Sequence, residues 1–208
     1  MNVIDPAAVE LLQNKIIRNS SIIDWGKQIA RCNEIIQKNL LCHCGVPTFD
    51  PADKEDTNIT IANNSPGFDM ISSKTQFEHS LNSKGLPLNN RCKHTSFVRI
   101  QSKLRQVTGS TPFSRQTHFE TTRRHSKKNE GSSSNTGHVA YSLDEFDYVM
   151  ISLVHIKDST LNRHIVDNWA FSIIPITELI DADTGCCKTR ISSFLLKKYE
   201  YKINPSTI

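Results

Sequence analysis

Asp69 and the tripeptide Gln101-Ser102-Lys103 are the residues whose types and spacing point most directly to chemistry. Asp69 closes the run Ser65-Pro66-Gly67-Phe68-Asp69, and Gln101 and Lys103 lie in the alternating stretch FVRIQSKLR. In a strand, residues two apart share a face. Gln101 and Lys103 therefore share one with Arg99, while Val98, Ile100 and Leu104 take the other. A carboxylate and an amide oxygen are hard donors, the kind Mg²⁺ accepts while keeping some of its waters. An ammonium on the same face can orient a water or neutralise a phosphate. Glu78, in Gln76-Phe77-Glu78-His79-Ser80, is an acid nearer to Asp69, but Ser80 stands two positions on, where a lysine would be needed. His118 and His125 lack the paired spacing of histidine-dependent catalysis and are assigned to a contact surface.

The elements that must position these groups follow from periodicity. Apolar residues recur at three- and four-residue steps from Pro6 to Leu41, which predicts two helices, the second over Ile22–Leu41 and ending near Gly45 and Pro47. An acidic loop, Asp50 to Asp56, follows. Strands are expected at Ile59–Ala62 and Phe68–Ile71, then a polar insertion or loop over 74–95, then a strand at Phe97–Leu104. Ser114–Lys128 reads as a basic stretch of helix, and 129–138 as a flexible loop by composition. The run FDYVMISLVHI (Phe146–Ile156) is the central-strand candidate, followed by a strand at Trp169–Ile174, a helical turn at Thr177–Ile180 and a last element at Ile191–Tyr199. The fold class predicted is α/β, a mixed central sheet flanked by helices. The chain reads as a single domain over 1–208 with its core at about 22–180.

Composition narrows the partners. The chain has 208 residues and a net charge of +4, distributed unevenly. From Arg91 to Lys128 ten Lys and Arg face one acid, Glu120, giving +9, and the remainder is −5. Such a cationic block in an otherwise acidic chain is the footprint of a polyanion partner. Asp5 stands where a secretion signal would be basic, and no apolar run approaches the roughly 20 residues of a membrane span. The expectation is a cytoplasmic protein with no membrane partner. Its six cysteines are then read as thiols, since Cys42-His43-Cys44 and Cys92-Lys93-His94 lack the spacing of structural zinc sites.

An acid on one strand followed by (Asp/Glu/Gln)-x-Lys on the next resembles the PD-(D/E)XK nucleases, type II restriction endonucleases in particular. The resemblance runs from about Gly26 to Leu179. It is carried by Asp69, Gln101 and Lys103, with support from Gly26…Glu34…Leu40…Gly45, which is similar to the leading helix of many such enzymes. It implies a restriction-endonuclease-like core and a Mg²⁺ site formed by Asp69, Gln101, the Ser102 carbonyl and Glu34, with Asp69, Gln101 and Lys103 catalytic. Gln101 replaces the usual acid, so the site has one negative charge fewer. The implied activity is site-specific cleavage of double-stranded DNA in a restriction-modification system, with a homodimer as a further expectation. Arg115, Gln116, His118, Arg123 and Arg124 would read bases, and Arg99, Arg105, Lys127 and Lys128 would complete the DNA contact. Two alternatives stand beside it: a structure-specific or homing nuclease with the same core, and a catalytically inactive nucleic-acid-binding protein.

Overall fold

The architecture comes from a computed structural model, which describes residues 22–51, 68–107, 119–120, 122–124, 138–141, 144–155, 169–181, 183, 185, 187–188 and 190–203. The expected helix before residue 22, the strand at 59–62 and nearly all of the 129–138 loop lie outside these residues.

Helix α1 (Ile22–His43) buries Asn33, Ile36, Gln37, Leu40 and Leu41. These positions recur at steps of three and four, so they form one stripe of the helix. Ile36 and Leu40 of the predicted stripe are buried as expected, the side chains of Ile29 and Cys32 lie outside the description, and two amides, Asn33 and Gln37, join the buried face. The helix stops at Gly45, whose φ of 78° suits glycine best. The Gly45 N–H reaches the Cys42 carbonyl at 3.0 Å and the Val46 N–H reaches that of Leu41 at 2.9 Å. This paired closure leaves Val46 and Leu41 buried together in the core.

The chain then forms β1 (Thr48–Phe49), β2 (Met70–Ser73), helix α2 (Lys74–Ser83) and β3 (Phe97–Val107). Helix α2 occupies the start of the segment predicted as loop. Its Asn, Ser and Lys content hides a short buried face of Phe77, Ser80 and Leu81. It ends as α1 does, with Gly85 at φ 68° and the Leu86 N–H on the Leu81 carbonyl at 2.9 Å.

After β3 come β4 (Phe119–Glu120), β5 (Thr122–Arg124) and β6 (His138–Ala140), then β7 (Tyr148–His155) and β8 (Trp169–Pro175). A 3₁₀ turn (Ile176–Glu178), β9 (Arg190–Ile191) and helix α3 (Ser193–Lys198) complete the described chain. The helix expected over Ser114–Lys128 is replaced, where described, by β4 and β5. Thr122 is β-branched, and Thr122, Arg123 and Arg124 pair with Ala140, Val139 and His138 of β6; β4 pairs with β9.

The main sheet is mixed and five-stranded, in the order β1-β2-β3-β7-β8. Only β3 and β7 are parallel, so the chain between them must cross over, and β4 to β6 lie on that crossover. Strands β7 and β8 are buried along their described side chains, as expected of apolar strands covered on both faces. Segment 199–201 lies along the outer edge of β8, with the Tyr201 N–H on the Phe171 carbonyl at 2.7 Å and the Ile173 N–H on the Tyr199 carbonyl at 3.0 Å. No described helix is long and apolar enough to cross a membrane.

If α2 is part of the core, its buried and exposed faces must differ in their sensitivity to mutation. Phe77 is 1% exposed, and its ring meets Tyr148 edge-on at 4.9 Å. Phe77→Ala should lower unfolding free energy by about 3–5 kcal/mol. His79→Ala, on the exposed side, should stay within about 0.5 kcal/mol. Urea unfolding checks both, and similar small effects at the two positions would contradict a packed helix.

Candidate functional site

Strand β2 pairs with β3 only from Met70–Ile100 to Ser73–Phe97. Strand β3 continues to Val107 alongside β7. Past Ile100, then, the β2-side edge of β3 has no strand partner among the described residues. Asp69 stands at this notch. Its N–H donates to the Ile100 carbonyl at 2.9 Å, and its Oδ2 accepts the Ser102 N–H at 2.8 Å. A carboxylate thus takes the place of the missing strand, through a charge-assisted hydrogen bond.

The Gln101 side chain turns to the same point. Its Nε2 donates to Asp69 Oδ2 and, at 3.3 Å, approaches the Ser102 carbonyl. The two oxygens therefore converge on one electropositive N–H₂ group. Rotating that amide half a turn would present Oε1 beside them, giving a carboxylate, an amide and a carbonyl oxygen around one point. That donor set is chemically suited to a hard divalent cation.

Helix α1 adds the second acid. Glu34 lines the same cleft of about 300 Å³ as Ala30, Asn33, Asp69, Gln101, Ser102, Lys103 and Leu104. Among the described residues no three His, Cys, Asp or Glu side chains gather into a metal-holding group. The cleft's acids are Glu34 and Asp69, its cation is Lys103, and the other polar side chains, Asn33, Gln101 and Ser102, are neutral. Burial, then the nearby Asp69 charge, pushes the Glu34 carboxyl up to about 7, against the opposing pull of Arg31. Burial also raises Asp69, although the Ser102 N–H and the Lys103 ammonium favour its ionised form. Arg31 donates to Glu34 Oε2 at 3.0 Å and pairs with the buried Asp50, which follows β1.

Two amides of α1 hold this arrangement in register. Asn33 Nδ2 donates to Ser102 Oγ at 2.8 Å. Gln37 Nε2 reaches the Met150 carbonyl at 3.0 Å, Ser152 Oγ at 2.9 Å and the Lys103 carbonyl at 3.3 Å. Lys103 sends its Nζ to the Tyr141 hydroxyl at 2.9 Å.

Asp69, Gln101, Ser102, Lys103 and Glu34 are thus brought together from three elements. Arg105 is exposed further along β3. Arg99, at the other end, is held by Asp147 at 3.2 Å in a largely buried ion pair. Glu78 lies outside the cleft lining and pairs with Lys74 at 3.9 Å. Arg123 and Arg124 lie on β5, described in backbone only. Arg115, Gln116, His118, Lys127 and Lys128 lie outside the described residues. Cys42, Cys44, Cys92 and Cys187 form no disulfide. The sequence reading missed Arg31, Asn33, Gln37, Asp50 and Tyr141. The available signal was the pair of amides, Asn33 and Gln37, spaced four apart on the apolar stripe.

The raised Glu34 carboxyl makes stability depend on pH. Between its ordinary value of 4.5 and about 7, the folded chain keeps a proton that the unfolded chain releases. Stability must fall as pH rises through that window and level off above it. The cost at pH 8 is on the order of 3 kcal/mol. Glu34→Gln should match the parent near pH 4 and exceed it by up to that amount at pH 8, measured by urea unfolding. An equal difference at both pH values would show that Glu34 is not held neutral by the fold.

No protein-family model, curated protein or solved structure matches this chain, so its functional reading rests on the geometry of the cleft.

Proposed function

We propose that the chain is a Mg²⁺-dependent endonuclease of PD-(D/E)XK type that hydrolyses phosphodiesters of double-stranded DNA at a specific sequence, as a type II restriction enzyme does. The observation that carries this reading is the meeting of Asp69, Gln101-Ser102-Lys103 and Glu34 in one cleft, where β3 runs on past the end of its pairing with β2. The order of α1, the antiparallel strands β1 to β3 and a parallel β7 supports it. The cationic block from Arg91 to Lys128 supports a nucleic-acid substrate, because phosphate neutralisation dominates affinity for DNA.

In this reading Asp69, Gln101 Oε1 and the Ser102 carbonyl hold the cation, with Glu34 beside them. A bound Mg²⁺ supplies a water of lowered pKa and offsets charge developing on the phosphate. Ser102 fixes Asp69 through its backbone N–H. Gln101 gives up its hydrogen bond to Asp69 and turns its oxygen inward. Lys103 orients the attacking water or neutralises a phosphate oxygen from the wall of the cleft. With a neutral Gln101, the cation should be held weakly, at millimolar Mg²⁺ as an order of magnitude.

A second reading is favoured by the Gln101–Asp69 hydrogen bond itself, which satisfies the acid without a cation. It describes a nucleic-acid-binding protein without catalysis. Plasmid cleavage in Mg²⁺, with the ends mapped, separates the two. The nuclease reading predicts cutting that EDTA stops and Mn²⁺ restores. It also predicts that Asp69→Ala and Lys103→Ala cut at least about 10²-fold more slowly, the usual cost of removing a group that stabilises the transition state. DNA affinity should change little in both. Binding without cleavage by the parent chain selects the second reading, and undiminished cutting by either variant removes that residue's role.

A further inference from the structure

Lys103 leaves β3 beside Asp69, yet no ion pair joins them. The ammonium rests instead on Tyr141, with Nζ 2.9 Å from its hydroxyl and 5.0 Å from the centre of its ring. Tyr141 follows β6 and is 4% exposed. Its ring meets Phe146 edge-on at 5.3 Å, and its carbonyl accepts the Cys187 N–H at 3.2 Å. The platform under Lys103 is therefore fixed by contacts on two sides, whereas the lysine stem has four rotatable carbons. Without that platform, the ammonium is free to turn to the Asp69 carboxylate, which lines the same cleft and already feels its charge. A Lys103–Asp69 pair would engage the acid that has to hold the cation.

We propose that Tyr141 is a positioning residue that parks Lys103 away from Asp69. It keeps the carboxylate open to a divalent cation and leaves the ammonium at the cleft wall, where a phosphate oxygen would meet it. This rests on the nuclease reading and adds a residue to it. The hydroxyl accepts one N–H of the ammonium and the ring face attracts its charge. Both contacts are weak enough to be exchanged for a phosphate when substrate arrives.

The test is Mn²⁺ binding to the full chain, followed by paramagnetic resonance, in a double-mutant cycle of Y141L and K103M. Y141L should weaken Mn²⁺ by up to about fivefold, the scale of one competing ion pair. K103M should tighten Mn²⁺ by up to about fivefold more in the Y141L background than in the parent, because only there does the ammonium compete. Y141F keeps the ring and loses the acceptor, so it should fall between. If Y141L does not fold, the cycle is run with Y141F and K103M. An equal gain from K103M in both backgrounds overturns the parking role, since a loss through damaged packing would not depend on Lys103. A parent chain that binds no Mn²⁺ overturns the nuclease reading and this role with it, an outcome distinct from the other.

Discussion

Gln37 ties one helix to two strands. Its amide, fully buried, reaches the Met150 carbonyl and Ser152 hydroxyl on β7 and approaches the Lys103 carbonyl on β3. One turn earlier, Asn33 holds the Ser102 hydroxyl on β3. Apolar side chains alone would let α1 slide or roll on the sheet at little cost, because their attraction is not directional. The two buried N–H₂ groups fix the helix in both senses, since a shift that left them without their acceptors would cost about 1–3 kcal/mol each. Glu34 adjoins Asn33 in sequence, so its place beside Asp69 follows from that register. The meeting of helix acid and strand acid thus depends on two neutral side chains.

The sheet supplies the other half of the site by ending unevenly. Because β2 starts at Met70 and β3 runs on to Val107, backbone groups past Ile100 on that side meet no strand among the described residues. Asp69 meets part of that edge with a carboxylate. Burial works against charge here, and both acids respond by holding protons more tightly. Arg31 offsets part of the charge by bridging Glu34 and Asp50. In the proposed reading, a divalent cation supplies the rest. The fold would then tolerate clustered acids because its ligand neutralises them.

Much of this was legible in the sequence. The FVRIQSKLR alternation located β3 and put Gln101 and Lys103 on one face, and FDYVMISLVHI located β7, buried along its described side chains. Gly45 and Pro47 marked where α1 stops. Other features were hidden for identifiable reasons. Helix α2 spans ten residues with only Phe77, Ser80 and Leu81 buried, too few to outweigh its polar composition. The edge strand β1 has two residues, too short to show a period. The roles of Asn33, Gln37 and Tyr141 arise from partners 38 to 115 positions away, and no local pattern encodes such distances. Their residue types still hint at them, since an amide on an apolar stripe needs a buried partner.

In the proposed reading, Asp69, Gln101 and the Ser102 carbonyl surround a cation position that the Gln101 N–H₂ group bridges in this structure. A crystal of the protein soaked in Mn²⁺, with anomalous scattering recorded at the manganese edge, tests it directly. The account predicts one strong peak within about 2.0–2.4 Å of an Asp69 carboxylate oxygen and the Ser102 carbonyl, by analogy with hard-cation distances, with Gln101 Oε1 turned toward it. Gln101 still hydrogen-bonded to Asp69, with no peak in the cleft at saturating Mn²⁺, would contradict it.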